Sequence, residues 1–233
     1  MERLQKIIAK LLEARLMPVD WNEYLEAVAN AYLKAPMYEA NAIPSWQALI
    51  THIEKLYRQL QSRYQVEFTE DNPYQTADQM ANEIDQTGII RVYSGGTQHP
   101  VWTPEQNLQF RAVHDIFAHI YGNYDFSGRG EIASYNRHAA MAPPSALPAL
   151  FTEVVGQASV NERKGFFPPQ KIAILQGFDF RRVGYMDSAL RGPSNQSLVP
   201  GSSPPSANSP QTSPTSQPSM QPALMTNPSL ATG

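Results

Sequence analysis

Two histidines and an aspartate lie close together in an otherwise apolar stretch, FRAVHDIFAH, which ends at His119. His114, Asp115 and His119 occupy positions where a core helix would normally carry Leu or Val. In a straight α-helix each residue advances by about 100°, so Asp115 and His119 share a face, whereas His114 and His119 are about 140° apart. A π-type bulge would bring the two histidines into register, and such bulges are frequent at functional sites. The spacing therefore leaves two pairs open: Asp115 with His119, or His114 with His119 in a bulged helix.

Two later segments also carry polar residues at same-face helical spacing. Glu131 and His138 are seven positions apart, and Glu153 and Gln157 are four positions apart. Glu153 has apolar neighbours on both sides, and a carboxylate buried among them requires a partner. We therefore expect three helices to direct polar side chains into one shared site.

Imidazoles and carboxylates that project inward from facing helices are a common way for helical proteins to bind metals. The chain contains no cysteine, so thiolate ligands are excluded. The predicted ligands of a divalent Zn, Mn, Fe or Ni ion are His114, His119, His138 and Glu153. Asp115 and Glu131 are the predicted catalytic groups, which orient a ligand or act as a base, and Gln157 is predicted to support Glu153. Such an ion could activate water for hydrolysis. Without a metal, the same residues would form a buried hydrogen-bonded network that specifies helix packing.

The elements that position these residues are predicted to be mainly α-helical, with at most a small two-stranded β element. Apolar residues recur at three- and four-residue spacing through the first 70 residues, which indicates amphipathic helices. VEF at 66–68 and IIRVY at 89–93 are the strand candidates. PPQKIAIL, at 168–175, is predicted to form a last short helix. Capping residues predict four helix starts, at Asp20, Ser45, Thr76 and Thr103.

The composition divides the chain into two parts. Residues 1–187 are predicted to form one helical globular domain, with N-terminal helices over 1–70 and the polar-site helices over 95–160. The remaining segment, 188–233, is rich in Pro and Ser, and no residue after Gly192 is charged. Proline at this density opposes both helix and strand, so we expect a disordered or extended tail.

Charge and hydropathy exclude several classes of function. A formal net charge of −3 gives no general attraction to nucleic acid or to anionic membranes. No apolar run approaches the ~20 residues of a membrane-spanning helix. The N-terminus, MERLQKIIAKLLEARL, interleaves charged and apolar residues, unlike a signal peptide. A soluble protein that is not secreted by a signal peptide is therefore expected.

Residues 95–157 resemble an uncharacterised family of tailed-bacteriophage proteins. The features that carry the resemblance are H-D-x-x-x-H at 114–119, Gly-Glu at 130–131, His138, and E-x-x-G-Q at 153–157. The resemblance implies a phage-encoded protein in the host cytoplasm or the virion, and it implies that these residues belong to one unit. The first expected function is divalent-metal binding with hydrolytic activity. The alternative is a non-enzymatic virion component, in which the same residues form a structural network and the tail binds neighbouring virion proteins.

Overall fold

The computed structural model describes residues 16–96 and 98–190, and it confirms a mainly helical fold. Residues 1–15, which belong to the predicted N-terminal helices, and the tail from residue 191 onward lie outside the described residues. Ser188–Leu190, which the sequence analysis assigned to the tail, form a 3₁₀ turn directly after the last strand. The described fold therefore extends slightly beyond the predicted domain boundary. Among the described residues, no helix is both long and apolar enough to cross a membrane.

Helices account for most of the described fold. The first three are α1 (Trp21–Lys34), α2 (Ile43–Gln61) and α3 (Ala77–Thr87). Helix α4 (Pro104–Val113) continues directly into a first π segment (His114–Ile120), and α5 (Gly128–Met141) follows. Helix α6 (Leu147–Phe151) continues through a second π segment (Thr152–Gly156) into α7 (Gln157–Lys164).

Capping explains most of the helix starts. The Asp20 carboxylate accepts hydrogen bonds from two backbone N–H groups of α1. Thr103 forms a capping box with Gln106 at the start of α4, and Thr76 caps α3. Ser45 does not cap α2, because that helix begins at Ile43. Its buried hydroxyl instead accepts a hydrogen bond from the Ala149 backbone N–H, which joins α2 to α6.

The core forms where the helices pack against one another. Helix α1 packs against α7, while α2 packs against α4 and α6. The largest fully buried side chains come from several of these helices: Trp46, Tyr24, Tyr32, Tyr135, Phe110 and Phe151. Burial of this apolar area is the main stabilising contribution to the fold.

Residues 16–96 and 98–190 contain four short strands, which form two separate pairs. β2 (Gln65–Thr69) and β3 (Ile89–Tyr93) run parallel, and α3 is the crossover that a parallel connection requires. This is the predicted β element. β1 (Leu16–Pro18) and β4 (Tyr185–Asp187) add an antiparallel pair that the sequence analysis did not predict.

The segment predicted as a last helix is irregular in the structure. Within it, the buried amine of Lys171 donates hydrogen bonds to the backbone carbonyls of Tyr32, Leu33 and Ala35 at the C-terminal end of α1. Ile172 forms a single bridge with Tyr38. These contacts with α1 and the chain after it replace the hydrogen bonds that a helix would have formed within the segment.

Candidate metal centre

The first π segment brings His114 and His119 together. Its hydrogen bonds reach back five residues, as from the Tyr121 N–H to the Ile116 carbonyl at 2.9 Å. Residues five apart therefore lie on one face, and the Nε2 atoms of the two histidines are 3.1 Å apart. Of the two arrangements that the spacing left open, the structure contains the bulged one.

Glu131 completes a group of three side chains. Its Oε2 lies 3.1 Å from His114 Nε2, and its Oε1 lies 3.1 Å from His119 Nε2. All three side chains are buried. Each offers a ligand atom within 4.8 Å of the other two, which is close enough for the three to bind one metal ion.

The start of α5 places Glu131 in this group. The Ser127 hydroxyl accepts a hydrogen bond from the Gly130 N–H and caps the helix. A Cβ atom at Gly130 would collide with the backbone carbonyl and the carboxylate of Asp125. Glycine at position 130 therefore allows Asp125 to lie directly against the first turn of α5, next to the residue that carries the carboxylate.

The other ring nitrogens of the two histidines also have partners. His119 Nδ1 lies 3.2 Å from the backbone carbonyl of Tyr124 and donates a hydrogen bond to it. His114 Nδ1 lies 3.4 Å from Nδ1 of His138. Contacts of this kind from the far nitrogen orient metal-binding histidines and fix their tautomers.

Burial and neighbouring charges shift the pKa values of Glu131, His119 and His138. Burial disfavours the charged form of Glu131, but His119 and His114 beside it outweigh that cost and lower its pKa to about 2. Burial likewise disfavours a protonated His119, but Glu131 outweighs it and raises the pKa of His119 to about 9. Burial, reinforced by His114, holds the pKa of His138 well below its usual range, so this ring is neutral.

Asp115 borders the group and is only partly buried. Removal from water raises the pKa of its carboxyl to about 6, although the neighbouring His114 and His119 act in the opposite direction. A carboxyl with this pKa can accept and release a proton near neutral pH.

Glu153 lies in a different polar cluster. Its side chain is fully buried on the second π segment, and Oε1 accepts a hydrogen bond from Gln170 Nε2 at 3.2 Å. Its Oε2 lies 3.7 Å from Nε2 of His99. His99 Nδ1 accepts hydrogen bonds from the backbone N–H groups of Val101 and Trp102, so its Nε2 carries the proton and faces the carboxylate.

The structure thus divides the predicted site residues. His114 and His119, both predicted as ligands, lie in the group of three side chains that is close enough to bind one metal ion. Glu131, predicted as a catalytic group, also lies among the possible ligands. His138 contacts His114 and is not one of the three grouped side chains. Glu153 also lies outside the group. Ligands of one ion need ligand atoms that are close to one another, and those of His138 and Glu153 are not close to all of the other three.

Sequence reasoning missed some of the residues that support these groups. Gln170, rather than the predicted Gln157, donates to Glu153; the Gln157 amide nitrogen is buried and has no hydrogen-bond partner among the described residues. His99 has a sequence signal, as one of only five histidines, and its position in the GGTQHP turn favours a structural role over a site role. Neither Gln170 nor the Tyr124 carbonyl has a local sequence signature.

The fold and the site together define a mainly helical protein with a buried group of two histidines and one carboxylate. No protein-family model, no curated protein and no solved structure matches this chain.

Proposed function

We propose that the protein binds one divalent metal ion through His114, His119 and Glu131 and uses it to activate water for hydrolysis. The observation that carries the proposal is the triangle of 3.1 Å contacts among the two Nε2 atoms and the carboxylate. His114 Nε2 can donate to Oε2 of the ionised carboxylate, whereas Oε1, 3.1 Å from His119 Nε2, has no hydrogen-bond partner among the described residues. If both histidines donated to the carboxylate, their Nε2 atoms would face each other as two donors. No placement of protons therefore turns all three contacts into hydrogen bonds while Glu131 is ionised, whereas one cation among the three atoms would satisfy them.

The spacing also suits an ion of transition-metal size. Ligand atoms about 2.1 Å from an ion and at right angles to each other lie about 3.0 Å apart. The three contacts, each 3.1 Å, are close to this value. Two imidazoles and one carboxylate suit Zn, Mn, Fe or Ni, and a site with only three protein ligands leaves a position for water.

Asp115 is the proposed base. A bound ion would lower the pKa of a coordinated water, and the Asp115 carboxylate could accept the proton that this water releases. Its pKa of about 6 and its partial exposure suit a group that must exchange protons with solvent at neutral pH.

Metal content tests the proposal directly. The full chain is purified without chelators, and bound metal is measured by elemental analysis and by competition with a chromophoric chelator. We expect about one ion per chain, and we expect its loss in His114→Ala, His119→Ala and Glu131→Gln. His52→Ala is the matched control, because His52 lies on α2 outside the group. A wild-type chain that takes up no divalent ion would overturn the metal assignment.

The second candidate is a structural role without metal, and one contact favours it. His119 and Glu131 form a buried ion pair that stabilises helix packing by itself. In that case, chelator would leave the melting temperature unchanged. A metal-dependent protein should instead melt at a lower temperature in chelator and recover when the ion is restored.

Hydrolysis and phage origin need separate tests. Model phosphate and carboxylate esters, offered to metal-loaded and chelator-treated protein, test the hydrolytic part. The phage origin and the virion location rest on the sequence resemblance alone. Mass spectrometry of purified particles tests them, since a high copy number would favour the virion alternative.

A further inference from the structure

We infer that His138 is a positioning residue that sets the tautomer of His114, and that the protons of both rings change nitrogen when a metal ion binds. This inference deepens the proposed function and depends on it. It arises from an asymmetry between His114 and His119, the two histidines of the proposed metal-binding group. Nδ1 of His119 faces a carbonyl oxygen, whereas Nδ1 of His114 faces the nitrogen of another imidazole.

The two partners differ in what they permit. A carbonyl only accepts, so the Tyr124 oxygen holds a proton on His119 Nδ1 and leaves Nε2 free to bind an ion, whenever His119 is neutral. A neutral imidazole has one N–H donor and one lone pair, so Nδ1 of His138 can either accept or donate. The tautomer of His114 therefore depends on that of His138.

Without a metal, the contact with Glu131 decides the arrangement. The carboxylate accepts at Oε2, 3.1 Å away, so His114 Nε2 must carry the proton. His114 Nδ1 then has the lone pair, and His138 donates to it from its own Nδ1. With a metal, His114 Nε2 supplies its lone pair to the ion, so the proton of the His114 ring lies on Nδ1. His114 Nδ1 then donates a hydrogen bond to Nδ1 of His138. The proton between the two Nδ1 atoms passes from His138 to His114, the Nε2 proton of His114 is released to solvent as the ion takes its place, and His138 Nε2 takes up one proton from solvent. Each ring therefore holds one proton in both states, and in each ring the nitrogen that carries it changes.

The surroundings of His138 permit both states. Its side chain is fully buried, and its Nε2 has no hydrogen-bond partner among the described residues. No third group therefore locks the ring in one tautomer. The Phe110 ring lies beside both His114 and His138, with centroids 5.9 Å from each, and keeps the two imidazoles facing each other in apolar surroundings.

Two substitutions separate this role from packing. His138→Asn can place an amide oxygen near the position of Nδ1, where it accepts but cannot donate through that atom, whereas His138→Phe keeps the ring and removes the acceptor. Zinc affinity is measured on the full chain by chelator competition. We expect His138→Phe to weaken zinc binding by about 10- to 100-fold, with His138→Asn much closer to wild type. Melting in chelator checks that both variants fold.

Nitrogen-15 NMR of the histidine rings gives a readout that a packing role would not change. In chelator, His114 should carry its proton on Nε2 and His138 on Nδ1; with zinc, both assignments should reverse. Equal zinc affinity in wild type and His138→Phe, or a His138 tautomer that zinc does not change, overturns this inference and leaves the metal site standing. A wild-type chain that binds no zinc in this assay, or any other divalent ion, overturns the proposed function itself.

Discussion

The imidazoles of His114 and His119 meet at their Nε2 atoms, 3.1 Å apart, although the two residues are five positions apart in one continuous helical segment. A straight α-helix would direct them about 140° away from each other. The two imidazoles can therefore meet only because this segment is a π-helix, and the proposed metal site requires them to meet.

Deleting one residue within the π segment tests this relationship. Removing Phe117, which is only partly buried, would leave the two histidines four positions apart, a spacing that shares a face in a regular α-helix. We expect the deletion variant to keep zinc affinity within about tenfold of wild type. Circular dichroism and chelator competition are the measurements. Inserting an alanine after Phe117 is the control, because it moves the histidines out of register, and equal zinc loss in both variants would contradict the prediction.

The Gly130→Ala variant tests whether the close approach of Asp125 to the first turn of α5 places the carboxylate. The added Cβ would collide with the backbone of Asp125, so we expect Glu131 to shift and zinc affinity to fall by about tenfold or more. Gly128→Ala is the matched control. Its Cβ meets only the flexible side chain of Glu162, which is exposed and can move away. Similar affinities in the two variants would show that the close approach at Gly130 is not needed.

The pH dependence of the metal-free protein follows from Glu131 and His119. The pKa of Glu131 falls from 4.5 to about 2, so its stabilising contribution is present above pH 4.5 and is lost as pH falls toward 2. The pKa of His119 rises from 6.5 to about 9, so its contribution is present below pH 6.5 and is lost as pH rises toward 9. Both contributions are complete only between pH 4.5 and 6.5.

Denaturant unfolding in chelator measures this effect. We expect the free energy of unfolding to fall between pH 6.5 and 9 in wild type, and to fall less in Glu131→Gln, which removes the ion pair. Zinc affinity should change in the opposite direction and rise over the same interval, because a ligand histidine must lose its proton. A free energy of unfolding with the same pH profile in both proteins would refute the assigned coupling.

Glu153 should matter for stability and not for metal binding. Glu153→Ala leaves the buried Gln170 amide without its acceptor and removes the carboxylate that His99 Nε2 faces at 3.7 Å, so we expect the free energy of unfolding to fall by about 1–3 kcal/mol. Glu153→Gln keeps the size and one acceptor oxygen and should lose less. Both variants should bind as much zinc as wild type. If the folded Glu153→Gln protein lost its zinc, Glu153 would be a metal ligand, as the sequence analysis predicted.

Asp115→Asn separates proton transfer from metal binding. The variant should keep its metal, because Asp115 is not one of the three grouped side chains. If the carboxylate is the base, turnover of any ester that the wild-type protein hydrolyses should fall by about 100-fold or more. Metal content and initial rates are measured on the same preparation. Unchanged rates with full metal content would exclude Asp115 as the base.

Much of the fold could be predicted because it depends on local signals. Thr103 caps α4, Thr76 caps α3, and the VEF and IIRVY segments form the parallel pair. Local signals gave wrong predictions where a side chain forms its hydrogen bonds with a residue far away in the sequence. Ser45 bonds to the Ala149 N–H instead of capping its own helix. Lys171 caps α1 from a segment that the sequence predicted as helical.

The sequence by itself determined which groups could bind a metal: histidines and carboxylates without thiolates, at positions that leave few arrangements open. Only the tertiary structure decided between those arrangements. Helical periodicity relates residues on one helix, but a π bulge changes that relation, and the distance from Glu131 to the histidines depends on how α5 packs against the first π segment. Tertiary packing also places Glu153 next to Gln170 and His99, and it places His138 against His114 on the side away from Glu131 and His119. The sequence could not predict these contacts, because residues brought together by packing have no fixed spacing along the chain.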